Sequence, residues 1–228
     1  MKHIGIVACS AEGAALCYTT ICIEGENYTG VKYRHPEVSM HSLPFNEYVE
    51  ALEKDNWGRI AELMLISAEK LARVGANFLI CPDNTIHRVF DEVAEKSPVP
   101  WLHIAEEVAK IAKERGYRKV LITGTKYLVE SEVYPEKLEK YGVEWLVPEK
   151  GDREQINRVI FDELLYGKVL EESRCYFYSV LKWAKEKGCD AAILGCTELP
   201  MLADENSPLP TLDSTRILAR AALKKALE

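Results

Sequence analysis

The sequence predicts an α/β protein built from parallel sheets, and three observations support this class. Short apolar runs rich in Ile, Val and Leu alternate with segments of helical periodicity. A glycine follows several helical segments, and one helix–glycine–strand segment recurs about half a chain later. Such alternation places helices on both faces of a parallel sheet. The 228 residues, 47% of them hydrophobic, suffice for one large or two small domains and argue against a disordered chain.

The first half of the chain carries one strongly periodic helix among short strands. Apolar residues recur at helical spacing through 56–74, and Gly75 ends this helix. The predicted strands are 4–9, 38–43 and 78–81. We expect a long irregular stretch after the first of them.

The second half continues the alternation. Three of its helices are followed directly or within one residue by glycine, at positions 116, 142 and 188. The predicted strands are 120–123, 143–147 and 191–194. The predicted helices are 101–115, 132–141, 156–165, 173–187 and 214–227.

An internal repeat suggests that an α/β unit was duplicated. Residues 75–85 can be laid over 188–198, an offset of 113, which places Asp83 on Cys196 and Asn84 on Thr197. A weaker match sets 2–9 over 119–125. Any two helix–glycine–strand units look alike, so chance similarity is the alternative. A true duplication predicts two facing Rossmann-like lobes, formed by 1–99 with 210–228 and by 100–209. Asp83 and Cys196 would then stand at strand ends on opposite walls of a cleft.

Cys196 is the first candidate for chemistry. It follows an apolar strand and a glycine, and it precedes Thr197 and Glu198, so its thiol is expected at the strand tip. If the next turn opens a helix, the free N–H groups there favour a thiolate and attract a carboxylate. The alternative is a small core cysteine, which is our interpretation of Cys81.

Asp83 and the Thr123-Gly124-Thr125 turn occupy two further strand tips. Asp83 suits a helix N-cap, and the same N–H groups could receive a ligand carboxylate. His87 follows four residues later and could face the same side, in a structural or a direct role. Thr125 lies in a polar turn that the repeat equates with the turn at Ser10, although it could be an ordinary turn.

Charge and cysteine content exclude several classes of function. Lys and Arg number 29 against 36 Asp and Glu, a net charge of −7, and no basic cluster points to a nucleic acid or an anionic membrane. No stretch approaches the roughly 18 apolar residues of a membrane helix. Seven scattered cysteines without a CxxC pair fit neither a disulfide framework nor a zinc site, so a reducing cytoplasm is expected. No nucleotide-binding or metal-binding motif occurs.

Three of these motifs together resemble the aspartate/glutamate racemase family, whose members racemise amino acids without an organic cofactor. They are Asn84-Thr85-x-His87, Thr123-Gly124-Thr125 and, most specifically, Gly195-Cys196-Thr197-Glu198. The segments 159–164 and 42–45 resemble the broad-specificity branch of the family. The resemblance implies two lobes related by a pseudo-twofold axis, a homodimer, no metal or cofactor, and a small carboxylate substrate, an amino acid, bound in the cleft between the lobes.

The resemblance also implies a role for each candidate residue. The family places one cysteine on each side of the substrate α-carbon, and here those positions are Asp83 and Cys196. Asn84, Thr85, Thr125, Thr197 and Glu198 are expected to bind substrate, mainly its α-carboxylate. The expected side-chain pocket is formed by Ser10 and residues around 42–48, among them Ser42 and Glu47. His87 is expected to support the site from behind.

An aspartate in place of the first cysteine changes the expected chemistry. The ordinary pKa of Asp is about 3.9 and that of Cys about 8.5, so an exposed Asp is much the weaker base. The sequence therefore predicts a slow or lopsided two-base racemase. Two alternatives remain open. One is a one-cysteine lyase or isomerase acting on a non-amino carboxylate, like the decarboxylases and maleate isomerases of this superfamily. The other is an inactive carboxylate-binding relative.

Overall fold

A computed structural model describes all 228 residues. The chain divides into two compact units, one formed by 1–104 with 215–228 and the other by 105–214. The chain passes from one unit to the other twice, and the boundary expected from the sequence lies five residues earlier in both places.

The elements alternate along the whole chain. The strands are β1 Ile4–Ala8, β2 Val38–Ser42, β3 Phe78–Ile80, β4 Lys119–Thr123, β5 Glu144–Leu146, β6 Ala191–Leu194 and β7 Thr211–Asp213. The helices are α1 Ala11–Thr29, α2 Phe45–Glu53, α3 Trp57–Arg73, α4 Phe90–Lys96, α5 Ile104–Glu114, α6 Lys126–Val129, α7 Pro135–Lys140, α8 Lys150–Asp162, α9 Glu171–Glu186 and α10 Ser214–Leu227. Short 3-10 helices cover Thr85–Val89, Leu164–Tyr166 and Leu199–Met201.

Each unit contains one parallel sheet, and the two sheets have corresponding strand orders. The first sheet runs β2-β1-β3, and the second runs β5-β4-β6-β7. In the first, Ile4 is in register with Phe78; in the second, Val120 is in register with Ala191. Phe78 and Ala191 are the first residues of the third strands and lie 113 positions apart. The prediction of an α/β fold with parallel sheets in two similar units is confirmed.

Both faces of the first sheet are covered, as expected for parallel strands. Because side chains alternate along a strand, Ile4 and Ile6 of β1 pack on one side and Val7 on the other. The first side carries residues of α1 and α10, including Cys17, Ile21, Leu218 and Ala222. The second side carries the apolar face of α3, including Ile60, Leu63, Met64 and Leu71.

The second sheet buries one face beneath α8 and α9. Leu121 of β4 and Ala192 of β6 pack in one cluster with these helices. The helices contribute Ile156, Val159, Ile160, Phe177, Val180 and Leu181.

The residue before each third strand joins it to the start of the first strand. Asn77 accepts a hydrogen bond from the His3 N–H on Oδ1 at 2.7 Å and donates its own N–H to the His3 carbonyl. Asp190, which is 113 positions later, accepts from the N–H groups of Arg118 and Lys119 at 2.7 and 3.1 Å. It also donates its N–H to the Lys119 carbonyl. The duplication therefore extends to side-chain contacts.

Helix α1 corrects the expectation of an irregular stretch after the first strand. Ser10 caps it, with Oγ accepting from the Gly13 N–H, and Gly30 ends it at φ 68°. The helix lacks the usual amphipathic pattern because apolar residues lie on both its buried and its exposed sides. Gly25 inside α1 also argues against a helix in the sequence. A Cβ at this position would lie 2.6 Å from the His35 Cβ, so the close packing of His35 explains why a glycine is present.

Smaller differences concern short elements. Helices α2, α4 and α6 and strand β7 were not predicted, because each is too short to show a clear period. Residues 100–102 run beside β3, with Trp101 paired to Leu79, so the helix predicted from 101 begins at Ile104. The other predicted elements are present with shifted ends. No helix is both long and apolar enough to cross a membrane.

Candidate functional site

Three predicted site residues meet at the carboxyl edge of the first sheet. Ser10 follows β1, Ser42 ends β2, and Asp83 follows β3. Ser42 is in register with Ala8, so the ends of β1 and β2 lie side by side. Ser10 is engaged as the α1 cap, and the exposed Ser42 hydroxyl donates to the Leu43 carbonyl. Ser10, Ser42 and Asp83 thus lie at the same edge of the sheet, at the ends of neighbouring strands.

The carboxylate of Asp83 is held by the turn that follows it. Its Oδ1 accepts hydrogen bonds from the backbone N–H groups of Thr85 at 3.1 Å and Ile86 at 3.4 Å. The 3-10 helix beginning at Thr85 supplies both donors. Hydrogen bonds of this kind favour the charged carboxylate. Asp83 therefore caps its own turn at the edge of the sheet.

His87 supports this turn from beneath. Its Nδ1 lies 2.7 Å from the Asp83 carbonyl oxygen, and its Nε2 accepts from the Ile104 N–H at 3.3 Å. Since a carbonyl only accepts, these contacts select the tautomer with the proton on Nδ1. The ring is 3% exposed and stacks on Phe90. These contacts join the His87 ring to the backbone at Asp83 and at Ile104.

The other predicted residues of this unit lie in two places, beside Asp83 and on α2. Asn84 is buried, and Thr85 is half-buried beside Asp83. Glu47 lies on α2, where its carboxylate pairs with Arg59 of α3 at 2.6 Å. That ion pair joins the two helices, so the Glu47 carboxylate, which was expected in the side-chain pocket, makes a structural contact.

Two buried groups that could titrate lie behind Asp83. Cys81 is fully buried, as expected for a core cysteine, and burial together with the Asp83 charge raises the pKa of its thiol well above the usual range. Tyr48 of α2 is also fully buried, and its hydroxyl has no hydrogen-bond partner. Burial, then the neighbouring Cys9, Cys81 and Asp83, raises the pKa of Tyr48.

The carboxyl edge of the second sheet carries the remaining predicted residues. Thr125 follows β4 and caps α6, its Oγ1 accepting from the Leu128 N–H at 3.4 Å. Cys196, Thr197 and Glu198 follow β6, the neighbour of β4. The strand ends approach closely at Gly195, where a Cβ would lie 2.6 Å from the Thr123 carbonyl oxygen. A glycine is therefore needed to bring Cys196 beside the β4 turn.

The thiol of Cys196 has a carboxylate as its partner. Cys196 Sγ donates to Glu198 Oε2 at 2.9 Å. Cys196 is half-buried, whereas Glu198 is 3% exposed and its second oxygen, Oε1, is buried without a partner. A carboxylate that accepts from a thiol keeps the proton on sulfur. The contact makes the Cys196 thiol the donor and the buried Glu198 carboxylate the acceptor.

Sequence reasoning missed two residues of these edges. Tyr48 was included only in a range of pocket-forming residues, because nothing in the sequence shows that its hydroxyl is buried. Asp213 ends β7 in register with Leu194, at the same edge as Cys196. The triplet Leu212-Asp213-Ser214, an apolar residue followed by good capping residues, was the available signal. No group of three or more His, Cys, Asp or Glu side chains is arranged to hold a metal ion.

Comparison with known proteins agrees with this geometry. Residues 30–222 match the model of the Asp/Glu/hydantoin racemase family. The chain belongs to this family. The motif resemblance is thereby confirmed.

Individual family members are similar along the whole chain. An aspartate racemase homologue from Pyrococcus horikoshii OT3 is 33% identical, with both chains fully covered and a TM-score of 0.85. A Yersinia pestis chain, whose assignment as an Asp/Glu racemase is provisional, is 32% identical over the full length of both chains, with a TM-score of 0.92. The broad-specificity amino-acid racemase RacX of Bacillus subtilis (strain 168) is 24% identical over 195 residues, or 85% of this chain and 83% of RacX.

Proposed function

We propose that this protein is a cofactor-independent amino-acid racemase in which Asp83 and Cys196 are the two acid/base groups. The observation that carries the proposal is the Cys196 thiol at a strand end, hydrogen-bonded to a buried carboxylate, in a member of a racemase family. A racemase must remove the α-proton from one face and supply another proton to the opposite face. A carboxylate and a protonated thiol are suitable groups for the two steps.

The hydrogen bonds of each group support a distinct resting role for it in this proposal. Two backbone N–H groups favour the Asp83 carboxylate, so Asp83 removes the α-proton. Glu198 keeps the proton on Cys196, so Cys196 donates it to the carbanion from the other side. The product has the inverted configuration, and the enzyme is left with a protonated Asp83 and a Cys196 thiolate. The reverse reaction uses this second protonation form.

Substrate recognition follows from the remaining groups. Asn84, Thr85, Thr125 and Thr197, with nearby backbone N–H groups, bind the α-carboxylate in this proposal. Ser10 and Ser42 border the side-chain pocket. The unpartnered Oε1 of Glu198 is suited to accept a hydrogen bond from the α-ammonium group, which favours amino acids over other carboxylates. The similarity to RacX supports a broad choice of side chain.

Proton NMR in D₂O tests this proposal. We expect wild-type protein without added cofactor to exchange the Cα proton of one or more amino acids in a panel of L and D forms. Cys196→Ser should lose exchange, whereas Cys175→Ala, which changes an exposed cysteine, should retain it. Absence of exchange from every amino acid with wild-type protein would contradict the proposal.

The one-cysteine alternative is favoured by the same bonds at Asp83. A carboxylate already held by two N–H groups is a poor base, and a lyase or isomerase needs only Cys196 as its acid or nucleophile. Turnover of an arylmalonate or maleate, lost in Cys196→Ser, without exchange of amino acids would support this function.

We also propose that the protein works as a homodimer in the cytoplasm. The scattered cysteines support the location. The exposed side of α1 supports the assembly, because Tyr18, Cys22 and Ile23 form an apolar stripe there. Light scattering should give twice the 25.8 kDa chain mass, and Ile23→Lys should lower it. A monomeric wild-type protein would contradict the assembly.

A further inference from the structure

The contact between Cys196 and Glu198 joins two residues that are held in different ways. Cys196 follows β6 directly, and β4 fixes that strand end. The Gly195 N–H donates to the Thr123 carbonyl at 2.9 Å, and the Thr123 hydroxyl donates to the Ile193 carbonyl at 2.6 Å. Glu198 lies beyond the strand, in the turn that leads into a 3-10 helix. The sheet therefore sets the position of the thiol but not that of the carboxylate.

The backbone of this turn depends on the 3-10 helix that follows it. The Leu199 N–H donates to the Cys196 carbonyl at 3.2 Å, and the Met201 N–H donates to the Glu198 carbonyl at 3.0 Å. The last carbonyl groups of a helix have no partner within the helix. Since Leu202 is the C-cap of this one, the carbonyls of Met201 and Leu202 need donors from elsewhere.

Arg174 of α9 supplies those donors. Its guanidinium donates to the Leu202 carbonyl at 2.8 Å and to the Met201 carbonyl at 3.3 Å. It also pairs with Asp204 at 3.1 Å and with Glu171 of its own helix at 3.6 Å. The N–H groups of a guanidinium are fixed in one plane, so it holds two neighbouring carbonyls in a geometry that a lysine ammonium does not reproduce.

We propose that Arg174 is a positioning residue that keeps the Glu198 carboxylate facing the Cys196 thiol. Two hydrogen bonds connect them, from Arg174 to the Met201 carbonyl and from the Met201 N–H to the Glu198 carbonyl. Glu198 is 3% exposed, and a carboxylate is better solvated in water, so it should turn outward when the turn loosens. The inference rests on the proposed racemase function, in which this thiol is the acid.

Arg174→Lys and Arg174→Gln together separate geometry from charge. Both lose the contact with two carbonyls, but only Arg174→Gln loses the positive charge. Alkylation of Cys196 by iodoacetamide, followed on its peptide by mass spectrometry, is half-maximal at a midpoint pH. This midpoint reports thiolate formation, whereas easier access to the sulfur raises the rate at every pH.

We expect the midpoint of Arg174→Lys to fall, because the thiol proton loses its acceptor. Alkylation at neutral pH should become about threefold faster, which corresponds to about half a pKa unit. The midpoint of Arg174→Gln should lie above that of Arg174→Lys, since a nearby cation favours thiolate. The other titratable groups near the thiol are the same in both variants: Asp213 at the end of β7, and Tyr176 and Tyr178 of α9 in the same cluster.

A double variant distinguishes positioning from a general loss of structure. In the Glu198→Gln protein, Arg174→Lys should add no further shift, because the carboxylate that Arg174 positions is absent. Lys182→Gln, an exposed change in the same helix, should keep the wild-type midpoint. If the Arg174 variants do not fold, Tyr178→Phe tests the same segment, because its hydroxyl donates to the Asp204 carboxylate and accepts the Asp204 N–H. Its midpoint should fall by a smaller amount.

Two results would overturn the inference. One is an unchanged or higher midpoint in Arg174→Lys or, where that variant does not fold, in Tyr178→Phe. The other is an equal shift from Arg174→Lys with and without the Glu198 carboxylate. Alkylation needs no substrate, so the midpoints decide even if wild-type protein exchanges no amino acid, a result that would contradict only the racemase proposal.

Discussion

The two sheets are alike at their amino edges and different at their carboxyl edges. Asn77 and Asp190 precede the third strands, and each exchanges hydrogen bonds with the backbone that begins the first strand. At the other end of the same strands, Asp83 accepts from two N–H groups of its own turn, whereas Cys196 donates to Glu198.

The difference shows which constraints the fold imposes. At the amino edge, the backbone N–H groups that begin the first strand need an acceptor. Both units supply a side-chain oxygen there, from Asn77 in one and Asp190 in the other. The carboxyl edge has no such requirement, because a turn can present a carboxylate or a thiol equally well. A duplicated unit can therefore keep its architecture while the groups at its two carboxyl edges differ, a carboxylate in one unit and a thiol in the other. Each variant below makes the ends more alike or removes one of them.

The largest effect is expected from Asp83→Asn. The amide oxygen can still accept from the Thr85 and Ile86 N–H groups, so the turn should be preserved. The amide cannot take or give a proton, so racemisation should fall by about 10²- to 10⁴-fold. Chiral analysis of product measures the loss.

The control for this variant is Asp91→Asn, an equivalent change at an exposed position of α4. Asp83→Cys, which makes the two ends chemically alike, should recover activity above that of Asp83→Asn. If Asp83→Asn racemises at the wild-type rate, Asp83 is only the cap of its turn and the site depends on Cys196 alone.

A smaller effect is expected from Glu198→Gln. The amide keeps the size of the side chain but no longer holds the thiol proton as strongly, so the thiolate should form at lower pH. Alkylation of Cys196 by iodoacetamide at neutral pH should become faster, by about tenfold for each unit by which the pKa of the thiol falls. Racemisation that needs the thiol as the acid should then decline from a lower pH than in wild type.

Glu205→Gln, an exposed change in the same unit, serves as the control. A pH profile of alkylation that is the same in Glu198→Gln and wild type would show that the 2.9 Å contact does not govern the thiol.

The sequence predicted most of the architecture because several strands are short and largely apolar. Runs such as Ile4–Ala8 and Ala191–Leu194 are buried on both faces and appear in the sequence without interruption. Helix α3 was predicted with Asn56 at its start, the residue that caps it. Helix α1 was missed because a helix is recognised by one polar face, and its exposed side includes Tyr18 and Ile23.

The sequence placed the site residues at strand ends but could not give their partners. The 113-residue offset aligned Asp83 with Cys196, since equivalent strands end at equivalent positions. Glu198 was expected to bind substrate, whereas the structure adds a hydrogen bond from Cys196, two residues earlier in the same turn. The ion pair of Glu47 with Arg59 and the buried hydroxyl of Tyr48 depend on how α2 packs against α3 and the sheet. No local pattern encodes that packing.

The smallest effect is expected at the amino edges, from Asp190→Asn. The N–H groups of Arg118 and Lys119 lower the pKa of Asp190 below its usual value of 3.8. A group whose pKa is lower in the folded state stabilises the protein above its ordinary pKa and loses that contribution as the pH falls through the folded value. Wild type should therefore exceed Asp190→Asn in free energy of unfolding by about 1 kcal/mol or less at neutral pH, and the two should converge in acid.

The reciprocal change, Asn77→Asp, completes this comparison. It gives the first unit the carboxylate that the second already has, opposite the His3 N–H. The unfolding free energy of Asn77→Asp should acquire an additional decrease at acidic pH, and urea unfolding at several pH values measures both variants. If the difference between wild type and Asp190→Asn is the same at every pH, the carboxylate at the amino edge acts only as a hydrogen-bond acceptor. Its charge would then add nothing beyond the amide of Asn77.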